Sequence, residues 1–396
     1  MIAEIPNTLP FHRKLADFLE TEEKELWDWF SGDEFTQNAF DEQRLYLLKN
    51  TYRLEREKHA ALYALAESTA EKLNITAPIT LYQMMDGQQR NAGLVFQPGQ
   101  LQITFSGDML TALSDSEMRF ILGHEMAHYI HQVRDKGRYQ IADRLLDWIC
   151  GENGAAASYG HSFRLGRLYQ EIFSDRIGQF CCEELDASIS TLVRISSGLT
   201  DVSSQAYLKQ VDEALAHPES SGSEGYSHPE TFIRARALAD WANEDLEAND
   251  KLQRLVEGPP KLESLDLIAQ KELSQLTRAF ISAFINRPWI NTETLEAHAQ
   301  GYFYDFRIKS LSAENLEELK DKLSGLPQDL KDYFGFVLLD FVTVDSDLED
   351  APLIESMRFS KSAGISKEYD TLIGKELKLT KKQVAALHKA AEAEAA

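Results

Sequence analysis

The chain has 396 residues, a hydrophobic fraction of 43% and a formal net charge of −23 at pH 7. This length exceeds the size at which one hydrophobic core usually suffices, so we expect two or three domains. The negative charge argues against nucleic acid or an anionic membrane surface as a partner. No run approaches the roughly 18 consecutive apolar residues of a spanning helix, and the first residues do not resemble a signal peptide. We therefore predict a cytoplasmic protein without a membrane span.

The three cysteines, Cys150, Cys181 and Cys182, are too few for a disulfide framework. Adjacent cysteines rarely pair with each other. We therefore predict three reduced, buried thiols, which agrees with a cytoplasmic location.

Residues 11 to 75 are predicted to be helical, because apolar side chains recur there at helical spacing. From Ile75 the pattern becomes that of strands, with turn signals at Asp86-Gly87 and Pro98-Gly99. We predict a sheet of three short strands, at residues 78–84, 93–96 and 101–105. An edge strand of this sheet could hold an extended peptide by main-chain hydrogen bonds; the alternative is a simple hairpin layer.

The run from Gly123 to His128 carries the clearest chemistry in the sequence. On a helix, residues four apart lie one turn above each other, so His124 and His128 can direct two imidazole nitrogens at one cation. Glu125 lies beside them, where its carboxylate can reach a water on that cation. This is the H-E-x-x-H pattern, in which the histidines bind zinc and the glutamate is a general base.

The residues around the motif predict a buried helix. Ser114 and Glu117 form a capping-box pattern at its start, and most of its faces are apolar. Ionisable residues inside a buried helix are costly unless they are paired or bind a metal. This context favours a metal site over a chance match. A separate helix is expected from about Arg138 to Cys150.

A second apolar helix follows the loop Gly151–Gly160 and carries Glu171 and Asp175 on one face. A zinc ion bound by H-E-x-x-H needs a third protein ligand and keeps its fourth position for water, and Glu171 is suited to be that ligand. Asp175 could accept the second N–H of a ligand histidine and so fix its tautomer. The alternative is an exposed helix face on which both acids pair with neighbouring arginines.

Residues 186 to 216 are predicted to form two helices, followed by a polar loop. His228-Pro229 then opens a further helix, and proline at the first helical position would leave His228 at or near the N-cap. From there the imidazole could point back into the cleft. His131 and His161 could also approach the site, although structural or surface roles are favoured for both.

Taken in order, these motifs resemble the CAAX prenyl protease type 1 enzymes, the HtpX-like heat-shock proteases and their soluble relatives. Members share an Asn-Ala strand, an H-E-x-x-H helix, a Glu-x-x-x-Asp helix and a His-Pro-x-x-x-x-Arg segment. The corresponding segments here are Asn91-Ala92-Gly93, His124 to His128, Glu171 to Asp175, and His228-Pro229 to Arg234. The resemblance spans roughly residues 60 to 245.

The resemblance implies one zinc ion per chain, with His124, His128 and Glu171 as its ligands. It implies Glu125 as base and proton shuttle. By position, the resemblance implies that Asp175 supports a ligand histidine and that His228 stabilises the oxyanion. It also implies that Arg234 supports the helix of Glu171 and Asp175. Substrate binding is implied for Asn91, Ala92 and Gly93. Integral-membrane members surround the catalytic unit with spanning helices, which this chain lacks. A peptide or protein substrate is therefore favoured over a prenylated one.

The segment Glu257-Gly258-Pro259-Pro260-Lys261 is a stiff, helix-breaking linker. We predict a helical N-terminal region at 1–60, a zinc metallopeptidase domain at 61–256 and an all-α domain at 262–396. The expected fold class is mainly α (α+β). It is a zincin-like core with a three-stranded sheet and two active-site helices, flanked by helical N- and C-terminal regions.

The C-terminal domain is a candidate surface for a helical partner or for self-association. Its stretch from Leu338 to Glu349, with the helix that follows, is faintly similar to tellurite-resistance TerB-like domains. The acids in this stretch suggest a calcium loop. However, Asp350 replaces the expected loop glycine and Ser356 the twelfth-position glutamate, so an EF-hand is rejected.

The sequence as a whole predicts a zinc-dependent endopeptidase. The alternative is a catalytically silent or latent zinc-binding protein that recruits partners through its helical domains. Latency would arise if an N- or C-terminal segment blocked the site.

Overall fold

The computed structural model describes residues 4–32, 37–217, 222–243, 247–286, 290–308 and 313–393, the side chains of 37–42 and 313–315 excepted. The chain divides into two compact units, Met1–Pro259 and Pro260–Ala396. Within the described ranges, no helix combines the length and the hydropathy needed to cross a bilayer.

The first unit is mostly helical and contains one small sheet, which confirms the predicted fold class. Its helices are α1 (Pro10–Glu22), α2 (Lys24–Phe30), α3 (Gln37–Asn50), α4 (Ala60–Lys72), α5 (Met109–Ala112), α6 (Asp115–Gly151), α7 (Ala157–Cys182), α8 (Leu185–Ser197), α9 (Ser204–Leu215), α10 (Thr231–Ala242) and α11 (Ala248–Glu257). Its strands are β1 (Thr51–Arg53), β2 (Ile79–Met84), β3 (Asn91–Gln97) and β4 (Gln100–Ser106).

The sheet contains the three predicted strands and a fourth, β1, where a continuous helical segment was expected. At three residues β1 is too short to show an alternating pattern, which explains why the sequence did not reveal it. The strand order is β1-β2-β4-β3, with β2 parallel to β4 and β3 antiparallel to β4. Strand β3 therefore lies at an edge of the sheet.

Helix α6 carries the H-E-x-x-H motif and starts as predicted. The Glu117 carboxylate accepts a hydrogen bond from the Ser114 N–H at 2.8 Å, and the Ser114 hydroxyl accepts one from the Glu117 N–H at 3.4 Å. The backbone leaves helical geometry from Arg134 to Gly137, where Gly137 has φ of +80°. The helix predicted from Arg138 is thus the second half of α6, beyond this kink.

Helices α6 and α7 pack closely because glycine occupies the contact on both sides. A Cβ atom on Gly123 would lie 2.9 Å from the Cys181 side chain, and one on Gly178 would lie 2.7 Å from the Phe120 carbonyl oxygen. Cys181 is buried as predicted, whereas Cys150 is exposed, which corrects the expectation for that thiol. The close approach brings the acidic face of α7 against the motif.

The second unit is all helical over its described residues. Its α-helices are α12 (Leu267–Ile285), α13 (Glu293–Tyr302), α14 (Ala313–Ser324), α15 (Gln328–Asp340), α16 (Ala351–Ser362), α17 (Ser366–Glu376) and α18 (Lys381–Ala393). They enclose their own core, which includes Phe280, Phe334 and Tyr369. In the segment between α15 and α16, the Asp345 carboxylate accepts hydrogen bonds from the Asp347 N–H at 3.1 Å and the Thr292 hydroxyl at 2.7 Å.

Candidate metal centre

Three side chains predicted as metal ligands converge at the α6–α7 contact. His124, His128 and Glu171 each offer one ligand atom, and these three atoms lie within 4.8 Å of one another. The two Nε2 atoms are 3.3 Å apart. Glu171 Oε2 lies 3.4 Å from His124 Nε2, and Glu171 Oε1 lies 3.6 Å from His128 Nε2.

These separations suit a tetrahedral zinc ion. Ligand atoms at roughly 2.0–2.1 Å from such an ion lie about 3.3 Å from each other, close to the distance between the two imidazole nitrogens and to that from each nitrogen to one oxygen of Glu171. In addition, Glu171 Oε2 is buried and has no hydrogen-bond partner among the described residues. A buried carboxylate oxygen without a hydrogen bond is costly unless nearby cations stabilise it; a bound metal would do so alongside Arg234, which lies 3.6 Å away. The residues therefore fit a zinc ion with two imidazoles and one carboxylate.

A network behind the cluster holds the ligands in place. Asp175 Oδ1 accepts a hydrogen bond from His124 Nδ1 at 3.0 Å. Arg234 from α10 donates to both carboxylate oxygens of Asp175, at 2.8 and 2.6 Å, and lies 3.6 Å from Glu171. Glu171 and Asp175 are only 6% and 1% exposed, so the alternative of an exposed acidic face is wrong.

The electrostatics of the cluster favour a cation. Burial would lower the pKa of His124, but the hydrogen bond to Asp175 and the nearby Glu171 carboxylate outweigh it and raise the pKa to about 10. Burial would raise the pKa of Glu171, but the neighbouring His124 and the other nearby positive charges lower it. Burial lowers the pKa of His128 to about 4, which leaves its imidazole neutral at pH 7. The site thus combines an ionised carboxylate with a neutral imidazole, and a metal would replace the proton on His124.

Glu125 lies next to the cluster and is 6% exposed. Burial raises its pKa to about 7, and the charge of His124 and a backbone hydrogen bond from Leu94 of β3 oppose this shift. A carboxylate with such a pKa can both accept and donate a proton near neutral pH. Leu94 of the edge strand β3 and Glu125 line the same cleft.

His228 lies at the open side of the cluster, two residues before the N-cap of α10. Helix α10 begins at Thr231 with Glu230 as its N-cap. The Glu230 carboxylate accepts hydrogen bonds from the Ser223 hydroxyl and the Glu224 N–H, both at 2.8 Å, which ties the start of the helix to the preceding loop. The His228 side chain is 60% exposed, and its Nε2 lies 3.6 Å from Glu171 Oε1.

The cluster opens into a cleft of about 620 Å³. Its lining includes the three metal-cluster residues, Glu125, His228 and Arg234, together with Asn91, Ala92, Gly93 and Leu94 of β3. Among the described residues, the outer edge of β3 pairs with no other strand. The cleft therefore places an unpaired strand edge beside Glu125.

Residues 56–150 match the family model described as peptidase family M48. This segment is similar to that family. It contains the sheet strands β2 to β4 and the H-E-x-x-H motif, and it ends before Glu171. The similarity supports zinc-dependent peptidase activity. No curated protein and no solved structure matched the chain.

His131 and His161, considered as approaching the site, are not part of the metal cluster. His131 is fully buried, with its ring 4.6 Å from that of His12 and stacked on Tyr139 at 5.2 Å. His161 is half-buried on α7 and does not line the cleft.

Sequence reasoning missed several residues that line the cleft. Besides Leu94, they include Gln132, Arg167, Gln170, Ser196 and Thr231. Leu94 follows the predicted Asn91–Gly93 segment, so strand periodicity could have found it. Ser196 and Thr231 meet at 2.7 Å from separate helices, and no local pattern links them.

Proposed function

We propose that the protein is a zinc-dependent endopeptidase holding one zinc ion through His124, His128 and Glu171. The observation that carries this proposal is the convergence of the three side chains: the two Nε2 atoms lie 3.3 Å apart, and each lies 3.4 or 3.6 Å from an oxygen of Glu171, with Glu125 beside them in an open cleft. The similarity of residues 56–150 to peptidase family M48 supports it.

When bound, zinc supplies a Lewis acid that lowers the pKa of water and polarises the scissile carbonyl. Glu125 accepts the proton of the attacking water and later passes it to the leaving amine. A pKa of about 7 suits both transfers at neutral pH. His228, exposed at the open side of the cluster, donates a hydrogen bond to the developing oxyanion.

The groups behind the cluster position the ligands. Asp175 accepts from His124 Nδ1, which keeps the Nε2 lone pair of His124 directed into the site. Arg234 holds Asp175 through two hydrogen bonds and balances the charge of both acids on α7.

The free edge of β3 is the proposed place for the substrate. An extended peptide can add to such an edge by main-chain hydrogen bonds. Strand β3 has seven residues, including Asn91, Ala92 and Gly93, so it can pair with a segment on both sides of the scissile bond. This favours cleavage within a peptide or protein chain.

The order of the motifs supports a relation to the soluble relatives of the CAAX prenyl protease type 1 and HtpX-like enzymes. The second unit, with its TerB-like stretch, is proposed as the part that binds a helical partner or a second copy of the chain. We further propose a cytoplasmic location.

Metal analysis and casein digestion test the proposed activity together. Purified protein should carry about one zinc per chain and cleave casein. Glu125→Gln should retain zinc and lose cleavage by a factor of about 10²–10⁴. Glu152→Gln, an exposed position outside the cleft, is the matched control and should behave as wild type.

Other outcomes distinguish the alternatives. A zinc-free preparation whose stability is unchanged by added zinc would overturn the metal site. A zinc-loaded wild type that matches Glu125→Gln in every proteolysis assay would favour the silent binding protein. Cleavage that appears only after removal of a terminal segment would indicate latency.

A further inference from the structure

A second cavity, which we call the outer-face pocket, lies behind the edge strand. It has a volume of about 330 Å³. Its lining consists of Tyr46 and Leu47 from α3, Met84, Gly87, Asn91, Ala92, Gly93, Val95, Thr104, Phe105 and Ser106. Asn91, Ala92 and Gly93 also line the catalytic cleft, so the same short segment of β3 borders both cavities.

The register of the sheet decides which side chains face this pocket. Gly93 pairs with Thr104 and Val95 with Gln102, whereas Leu94 pairs with Ile103. Paired residues of adjacent strands lie on the same face of a sheet, and successive residues alternate between faces. Gly93, Val95 and Thr104 therefore belong to one face, and Leu94 and Ile103 to the other.

A substrate strand on the free edge of β3 must follow the same alternation. Its residue opposite Gly93 directs its side chain to the face of Gly93, which is the face of the outer-face pocket. Leu94, the next residue, lines the catalytic cleft together with Glu125. The substrate side chain opposite Gly93 thus belongs to a residue close to the scissile bond.

Gly93 leaves the way into the pocket open because it has no side chain. A Cβ atom at this position would lie 3.4 Å from the Thr104 hydroxyl, an ordinary contact, so the sheet itself does not require glycine here. The absence of a side chain instead joins the strand edge to the space bounded by Tyr46 and Leu47.

The chemistry of the lining selects an apolar occupant. No Asp, Glu, Lys, Arg or His lines the pocket among the described residues. The Thr104 hydroxyl already donates to the Gly93 carbonyl at 3.0 Å, and the Ser106 hydroxyl donates to the Gln89 and Asn91 carbonyls at 2.8 and 3.2 Å. A charged side chain would lose hydration here without meeting an opposite charge among the described residues. The volume lies near the lower end of ligand pockets, roughly 300–1,000 Å³, which suits one large side chain.

We infer that the outer-face pocket is a specificity subsite that selects substrates with a large, uncharged apolar residue opposite Gly93. The inference rests on the proposed peptidase function and adds the class of peptide that the site takes. Tyr46, 55% exposed on α3, forms the wall of this subsite at the protein surface.

Cleavage of a peptide library that varies one position at a time tests this inference. Wild type should prefer leucine or phenylalanine over aspartate at one position near the scissile bond by at least about tenfold in kcat/KM. Tyr46→Ala removes one wall and should reduce this preference about tenfold, while cleavage of peptides with alanine there changes little. Gly93→Val closes the entrance and should shift the preference towards small residues.

Tyr52→Ala is the matched control, because Tyr52 is 46% exposed on β1 and does not line the pocket. It should keep the wild-type preference. The subsite would be overturned if the protein cleaved peptides without an apolar preference, or if Tyr46→Ala and Tyr52→Ala altered the preference equally. Either result would still be consistent with the proposed peptidase function. Zinc-loaded wild type that cleaves no peptide in the library would overturn both.

Discussion

Arg234 and Asp175 form a two-point ion pair behind the metal cluster, with N···O distances of 2.8 and 2.6 Å. Asp175 also accepts from His124, and the same guanidinium lies 3.6 Å from Glu171. The Arg234 guanidinium from α10 thereby holds both Asp175 and Glu171 of α7 against α6, the helix of the H-E-x-x-H motif. The ion pair thus links two of the proposed metal ligands, His124 and Glu171.

Replacement of Arg234 by methionine should weaken both the fold and the metal site. The substitution leaves the buried Asp175 carboxylate without the guanidinium that pairs with it, which should lower the free energy of unfolding by about 3–5 kcal/mol. Zinc affinity should fall about 10–100-fold because His124 is less firmly oriented. Urea unfolding and competition with a zinc chelator measure the two effects.

Two further variants sharpen that test. Arg234→Lys should recover only part of the loss, because one ammonium cannot reproduce the two-point geometry. Lys24→Met breaks the exposed pair with Asp28 and should cost at most about 1 kcal/mol. An Arg234→Met protein as stable and as tightly zinc-bound as wild type would contradict the positioning role.

His228→Gln should lower kcat by a factor of about 10²–10³, the usual effect of losing one oxyanion donor. Zinc content and stability should stay unchanged, because the His228 side chain is 60% exposed. Steady-state kinetics on a cleaved peptide and metal analysis give these values. His161→Gln, outside the cleft, is the control. Loss of zinc from His228→Gln would instead identify His228 as a ligand.

Gly178→Ala should destabilise the protein by about 1–3 kcal/mol, because the added Cβ would lie 2.7 Å from the Phe120 carbonyl oxygen. Separation of α6 from α7 should also reduce zinc affinity, since Glu171 lies on α7 and both histidines on α6. Urea unfolding and chelator competition measure the changes.

Gly160→Ala, on the same helix α7, provides the matched comparison. Nothing lies within 4 Å of a Cβ at that position, so alanine should stabilise the helix by about 0.5–1 kcal/mol. Equal effects of the two substitutions would show that close packing of α6 and α7 does not matter for the site.

Stability should fall on acidification below about pH 6.5 through His12 on α1. Burial and the charge of His131 hold the pKa of His12 well below its usual value, against the opposing hydrogen bond to the Gly166 carbonyl. The unfolded chain takes up a proton near pH 6.5 and the folded chain does not. The free energy of unfolding therefore drops as pH falls, by up to about 1.4 kcal/mol per pH unit from this group.

Urea unfolding of chelator-treated protein between about pH 7 and pH 5 measures this slope. His12→Gln removes the titration and keeps a donor for Gly166, so its slope should be smaller than that of wild type. The exposed His217 serves as control, and His217→Gln should keep the full slope. Identical slopes for wild type and His12→Gln would exclude His12 as the source.

The H-E-x-x-H motif and the capping of its helix could be predicted because both are local properties. The positions of His124, Glu125 and His128 on a helix follow from 3.6 residues per turn. The same holds for the pair Glu171 and Asp175. The strands of the sheet followed from alternation, except β1, which is too short to show it.

The start of α10 could not be predicted from Pro229 alone. The preference of proline for the first turn suggested a helix beginning there. The Glu230 carboxylate instead binds the loop at Ser223 and Glu224, and the helix begins at Thr231. A contact with the preceding loop overrode the local preference.

The amino-acid sequence by itself determined which residues share a helix face or alternate along a strand, because these periods arise within each segment. Tertiary structure alone decided that Glu171 meets both histidines, that Arg234 reaches Asp175, and that β3 lies at the sheet edge beside Glu125. It also decided that α3 closes a pocket behind Gly93. Such pairings depend on the close packing of α6 on α7 and on the strand order β1-β2-β4-β3, which join segments far apart in the chain.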